Sequence, residues 1–290
     1  MAITASLVKE LRERTGSGMM ECKKALVESD GDIEAAAEAM RKSGAAKADK
    51  KAGRVAADGA IKVIVTEDRK TAVILEINSE TDFVAKDDNF QAFVDGVLQT
   101  ILQQKPSDVK ELAGLSIADG ETVEEARQVL ISKIGENIQV RRFEIVQSDQ
   151  GVSSYLHGSR IGVLVNSSAT AEMGRDIAMH VAAVNPQFTD EKAVPVEFIE
   201  KEKGILIAQA QDSGKPPEII EKMIQGRLKK FLAEITLIDQ PFVKDPDQTV
   251  GQLLSTADAS VSSFTRYEVG EGIEKKVEDF AAEVASQLNS

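Results

Sequence analysis

Thiol, imidazole and indole are all scarce in this chain: its 290 residues include one cysteine, two histidines and no tryptophan, and only 4% are aromatic. A lone Cys22 excludes an internal disulfide framework and suits a reducing cytoplasm, the expected location. With no second cysteine and no closely spaced histidines, a zinc cage has too few ligands, so no metal and no cofactor is expected. The only Gly-Lys pair, Gly214-Lys215, runs into Pro216 and Pro217 and is no phosphate-cradling loop. No uncharged apolar run is long enough to cross a bilayer, and Met1-Ala2-Ile3-Thr4 does not open a basic-then-apolar export signal. Basic residues are also the minority, 35 against 48 acidic for a net charge of -13, which repels phosphate backbones and anionic membranes. Neither nucleic acid nor membrane is expected as a direct partner.

What is present is ordinary globular material, 42% hydrophobic and 29% charged, enough for two or more small domains. Leu7, Val8 and Leu11 share one helical face, Gly16-Ser17-Gly18 interrupts, and Met19, Cys22 and Leu26 form a second stripe. Asp30-Gly31 makes a turn, Asp32 caps a third helix, and Ile33, Ala36, Ala37 and Met40 supply its inner face. The spacing predicts a compact three-helix bundle. After it, Lys42 through Arg54, with Lys47, Lys50 and Lys51 among alanines and glycines, reads as a flexible linker. Residues 60–65 and 73–78 then predict a β-hairpin, as do 152–157 and 161–166. Each hairpin is followed by an amphipathic helix and later by a third strand, 140–146 in the first copy and 264–269 in the second. Two related α+β modules with three-stranded antiparallel sheets are the simplest account. A helical hairpin, 198–211 and a second stripe of Ile220, Met223, Ile224, Leu228 and Phe231 around a turn at 212–217, is inserted in the second copy, and a last helix begins near Glu274. The expected domains are 1–54, 55–148, 149–271 with the insertion at about 190–238, and 272–290.

Reactive groups are few. His180 lies on an apolar helix face and reads as a core histidine; His157 ends a strand beside a Gly-Ser-Arg turn, where it can meet a partner. A Cys22/His157 nucleophilic pair has no supporting sequence around it. The most distinctive stretch is Asn78-Ser79-Glu80-Thr81-Asp82-Phe83-Val84-Ala85-Lys86, which sets an aromatic beside a carboxylate between a buried strand and a helix. Phe83 there either packs under its own helix or is held out by a rigid loop to push on a partner.

Leu-Val-Lys-Glu-Leu-Arg-Glu-Arg-Thr-Gly at 7–16, Met19-Met20-Glu21-Cys22-Lys23-Lys24-Ala25-Leu26, Thr81-Asp82-Phe83-Val84, Lys133-Ile134-Gly135-Glu136-Asn137 and His157-Gly158, in that order, closely resemble the translation elongation factor Ts family. The resemblance runs over essentially the whole chain. It implies a guanine nucleotide exchange factor for elongation factor Tu with no covalent reaction of its own. It further implies that the N-terminal bundle is like a ubiquitin-associated domain and docks on Tu through Met19, Met20 and Lys23. Phe83 of the Thr81-Asp82-Phe83-Val84 loop would then wedge beside the magnesium and phosphate sites of Tu while Asp82 fixes the loop. Ile134 and Gly135 would touch the nucleotide-binding side, and His157 a distal Tu domain. The complex with Tu would be 1:1 or 2:2. Two other classes stay open beside it: a scaffold that uses the bundle to bind without altering nucleotide release, and a thiol enzyme dependent on Cys22.

Overall fold

The computed structural model describes residues 3–118, 120–211 and 216–274. Helices α1 (Ala5–Thr15), α2 (Met19–Glu28) and α3 (Ile33–Lys51) lead into strands β1 (Asp58–Val65) and β2 (Thr71–Ser79), helices α4 (Asp88–Gln104) and α5 (Val109–Ala113), the short strands β3 (Ser116–Ala118) and β4 (Glu121–Thr122), helix α6 (Val123–Ile134) and strand β5 (Ile138–Gln147). The second half runs β6 (Val152–His157), β7 (Ile161–Ser167), α7 (Ala171–Val184), α8 (Val196–Gln211), α9 (Pro217–Ile235), β8 (Pro241–Phe242), β9 (Asp245–Thr249), α10 (Val250–Thr256) and β10 (Val261–Glu268). The chain is α+β. Its three-stranded sheets have the orders β1-β2-β5 and β10-β7-β6, the same connectivity twice. The turn expected at 212–217 falls mostly outside the described residues, and so does the expected C-terminal helix.

Contacts divide the chain into two compact units, one holding the described residues of 1–62, 75–144 and 268–290, the other 63–74 and 145–267. In the first, α1 starts where Thr4 Oγ1 accepts the Leu7 amide, and ends on Gly16 at φ 64, a left-handed position that suits glycine. Val8, Leu11, Cys22, Ala25, Leu26 and Ala36 close the bundle's core. Met19 does not belong to it: the second stripe is Cys22, Ala25 and Leu26, and Met19 faces outward. Residues 42–51, expected as a flexible linker, are the second half of α3. Alanine and lysine are strong helix formers, and the small residues Gly44 and Ala48 let this half approach a neighbour closely. The position of a Cβ on Gly44 lies 3.8 Å from Ser132 Cβ of α6, Ala48 is buried, and Arg41 pairs with Glu125 at 3.3 Å. Helix propensity and tertiary packing override the loop-like composition.

β2 is buried from Ala72 to Ser79, which explains its nearly continuous apolar run. α4 lays Phe90, Phe93, Val94, Val97, Leu98 and Ile101 inward at helical spacing. Within Ala72–Ile77 one residue breaks the apolar pattern. Glu76 is wholly buried, and its carboxylate accepts from Arg141 at 2.9 Å, Arg142 Nε at 2.6 Å, the Gly270 amide at 2.8 Å and Asn78 Nδ2 at 3.0 Å. Burial alone would raise its pKa; these four donors outweigh burial and hold the carboxyl below its ordinary value. Gly270 makes this geometry available, because its φ is +73 and a Cβ there would stand 2.1 Å from the Ala57 carbonyl oxygen.

In the second unit β6 and β7 pair antiparallel from Val152↔Asn166 to His157↔Ile161. Val163, Val165, Ile177, Val181, Leu237, Phe242 and Val250 form its core. The two inserted helices bury one stripe against each other, around Leu206, Ala210, Ile224 and Leu228, and Phe198 stacks on Phe231 with centroids 6.0 Å apart.

Candidate functional site

β2 ends at Ser79, and its exit is built from short-range hydrogen bonds. Ser79 Oγ donates to the Thr81 carbonyl at 2.8 Å. Phe83 then begins a single 3-10 turn over Val84–Lys86, and Asp87 caps α4 by accepting the Asn89 and Phe90 amides at 2.9 and 3.2 Å. Val84 and Ala85 turn inward and are buried, anchoring the far side of the loop. Phe83 goes the other way. It is 80% exposed, so it does not pack under α4, the first of the two readings its sequence position allowed. Asp82 pairs with Lys86 one helical turn on at 2.9 Å, and the Lys86 ammonium lies 6.0 Å from the Phe83 ring centroid.

A second segment meets this loop. α6 ends on Gly135 at φ 91, whose amide bonds back to the Ile131 carbonyl, so the chain turns sharply between Ile134 and Asn137. Glu136 reaches across: its Oε2 accepts the Thr81 amide at 3.0 Å and its Oε1 the Thr81 hydroxyl at 2.7 Å. In the opposite direction Glu80 Oε1 accepts the Asn137 amide at 2.6 Å. Asn137 is buried and donates through Nδ2 to the Arg54 carbonyl at 2.7 Å, while Lys51 Nζ donates to the Gly135 carbonyl. Thr81, Asp82, Phe83 and Val84 are thereby brought beside Ile134 and Gly135. Sequence reasoning left out Glu80 and Glu136. The available signal was a carboxylate directly after a helix-ending glycine and another directly before the loop, in a chain whose apolar runs place both at element ends.

Met19, Met20 and Lys23 occupy the outer face of α2, at 57% exposure for Met19 and 77% for Met20. With Ile3, Ala5, Val8, Lys9 and Arg12 they line an open, largely apolar concavity of about 610 Å³ whose charged side chains are all basic. Exposed methionines are adaptable contact residues. His157, in the other unit, is exposed at the end of β6, with Nδ1 3.4 Å from the Tyr155 hydroxyl. His180 is buried; Nε2 bonds Gln240 Oε1 at 2.9 Å and Nδ1 accepts the Val243 amide at 3.2 Å. Burial lowers its pKa despite the Gln240 hydrogen bond, and with both nitrogens engaged it is a satisfied core histidine. Cys22 is buried, with Sγ 3.7 Å from Thr15 Oγ1. Among the described residues no group of three or more His, Cys, Asp and Glu is placed to hold a metal ion, and no helix is long and apolar enough to cross a membrane. What the exposed residues offer is contact: an aromatic on a pinned loop and a methionine-lined hollow with basic edges.

Comparison with known proteins points the same way. The family described as Elongation factor TS matches residues 80–271. The chain is similar over its length to several proteins named Elongation factor Ts. That of Alkalilimnicola ehrlichii is 61% identical over 289 residues, covering 99% of both chains. That of Methylococcus capsulatus is 60% identical over 292 residues, covering 100% of both. That of Thioalkalivibrio sulfidiphilus is 59% identical over 290 residues, covering 99% of both.

Proposed function

The chain belongs to the elongation factor Ts family of translation elongation factors, and on that premise we propose that it is the guanine nucleotide exchange factor for elongation factor Tu, acting by displacement and performing no covalent reaction. The observation that carries the proposal is Phe83: a large aromatic at 80% exposure has no use in the chain's own core, and a stiff loop holding one out is suited to entering a partner's pocket. The Thr81–Val84 loop is the working element. Phe83 enters Tu beside its magnesium and phosphate sites, Asp82 steadies the loop, and the ion is dislodged. Ile134 and Gly135 rest on the nucleotide-binding side, Met19, Met20 and Lys23 dock the N-terminal bundle, and His157 contacts a distal domain of Tu.

Linkage makes displacement sufficient. A factor that binds nucleotide-free Tu more tightly than nucleotide-bound Tu weakens nucleotide by the same ratio. Ordinary coupling of about 1–3 kcal/mol is too small for efficient exchange, and loss of the divalent ion supplies the rest by leaving the phosphate charge uncompensated. The test is release of fluorescent GDP from Tu of the same organism, chased with unlabelled GDP, with catalytic amounts of this chain. Accelerated release is expected, and Phe83→Ala should slow it by about tenfold or more, since a buried aromatic anchor is worth about 2 kcal/mol or more. Binding without acceleration would instead make the chain a scaffold.

A further inference from the structure

We propose that Glu136 is a positioning residue for exchange: it clamps Thr81 and thereby fixes the direction in which Phe83 leaves the body of the protein. The inference rests on the exchange reading above and adds a residue to it. Phe83 buries almost none of its own surface, so its ring cannot hold the loop in place. The inward neighbours Val84 and Ala85 anchor only the downstream side. Upstream, beside the Ser79 hydroxyl on the Thr81 carbonyl, the loop is held by the bidentate grip of one carboxylate on Thr81, Oε2 on the amide at 3.0 Å and Oε1 on the hydroxyl at 2.7 Å. A carboxylate accepting two hydrogen bonds from one residue fixes that residue's backbone and rotamer together. The grip is reciprocated by Glu80 on the Asn137 amide at 2.6 Å, so the loop and the turn after α6 hold each other.

The second module supplies an independent observation. Ser168 directly follows β7 as Glu80 follows β2, and Ser260 directly precedes β10 as Asn137 precedes β5. There too the segments are bonded, the Ser260 amide to Ser168 Oγ at 2.9 Å and the Ser168 amide to the Ser260 carbonyl at 3.0 Å. The link between strand exit and returning strand therefore belongs to the repeated scaffold. The Thr81–Glu136 clamp is the addition found where the exit also carries an exposed aromatic. A loop ordered before docking avoids the entropy cost of ordering it in the complex, and a wedge must resist deflection to displace anything.

The experiment measures GDP release from Tu over a range of concentrations of this chain, separating the plateau rate from the half-saturating concentration. Glu136→Ala should lower the plateau about tenfold while moving half-saturation less than about twofold, because docking elsewhere is intact. Glu136→Gln should restore most of the plateau, since its amide can still accept from the Thr81 N–H and donate to the Thr81 hydroxyl. In a Phe83→Ala background, adding Glu136→Ala should cause no further loss, the non-additivity of two residues acting as one unit. Amide hydrogen exchange in the free chain gives a readout separate from activity, in which Glu136→Ala should speed exchange at Thr81. The proposal is overturned if Phe83→Ala slows release but Glu136→Ala leaves the plateau intact, if the two losses multiply, or if Gln rescues no better than Ala. No acceleration by the unmodified chain would instead overturn the exchange reading itself and this proposal with it, whereas acceleration with an unimpaired Phe83→Ala would leave exchange standing and overturn the wedge and this proposal.

Discussion

The two modules share one sheet plan, and one of the places where they differ is the exit from the central strand. In the first, the exit from β2 to α4 is a long connection, 80–87, with a 3-10 turn and an exposed phenylalanine. In the second, the exit from β7 to α7 is only 168–170, with Ala169 buried and Thr170 turned back to cap the helix by accepting the Met173 amide at 3.3 Å. The same strand–helix junction is opened in one copy and shut in the other. A repeated scaffold solves packing once per module, and the residues added at a single junction are then free to face a partner. A second contrast lies four residues upstream of the junction, where Glu76 of β2 stands, with the strand ends aligned, opposite Leu164 of β7. At that position one module holds a buried carboxylate paired with two arginines, the other a buried leucine.

The largest effect is expected from making the first module resemble the second at that position. Glu76→Leu removes the acceptor that Arg141, Arg142 and the Gly270 amide share, and breaking a buried ion pair costs about 3–5 kcal/mol. Leucine is the native choice at Leu164, yet here it should lower the urea midpoint of unfolding sharply. The pH dependence has a definite sign. A carboxyl whose folded pKa lies below its ordinary 4.5 contributes stability above that value and loses it as pH falls through the folded pKa. The gap between the native chain and the variant should therefore be full at neutral pH and narrow below about pH 4.5. A variant as stable as the native chain at pH 7 would mean that the two sheets are interchangeable.

The modules themselves were legible because a hairpin needs little context: β-branched runs at strand length, with polar turns between, marked three of the four hairpin strands, and 152–157 followed from its place in the repeat. The helical insertion was legible for the same reason at the other period, through Ile220, Met223, Ile224, Leu228 and Phe231. Residues 42–51 were misread because composition describes a segment alone, and their order comes from the packing of Gly44 and Ala48 on α6. Glu76 shows the limit from the other side. Nothing in Val-Ile-Leu-Glu-Ile says whether the glutamate marks a solvent edge or a buried pair, since its partners lie far off in the chain. Pattern placed Phe83 in the connection between a buried strand and a helix, where the structure has it, but its outward direction depends on Val84 and Ala85 turning inward and on Glu136, which no local window contains.

A smaller effect should follow from putting an aromatic into the closed junction. Ala169 is 5% exposed, and its carbonyl accepts from Arg69 at 3.3 Å while the same guanidinium donates to Ser153 Oγ at 2.8 Å. Ala169→Phe must displace packed neighbours, and overpacking of this kind costs about 1–3 kcal/mol. The expected result is a lowered unfolding midpoint. An unchanged midpoint would show that the second junction has room to open, and that the contrast with the first is one of length alone.

The smallest effect is the most informative one for the comparison. Phe83→Ala should change stability by no more than about 0.5 kcal/mol, because a side chain this exposed has little native packing to lose. Its ring contact with the Lys86 ammonium, at 6.0 Å, is at the outer edge of cation–π range. Urea unfolding of this variant beside the GDP-release assay sets the two numbers against each other. A stability change near zero with a tenfold loss of exchange assigns the loss to the partner's side of the interface. A destabilisation beyond about 1 kcal/mol would mean that the ring also packs at home, well above what an exposed substitution costs. The first junction would then be closed by its aromatic much as the second is by Ala169, and the slower exchange would no longer distinguish a missing wedge from a loosened loop.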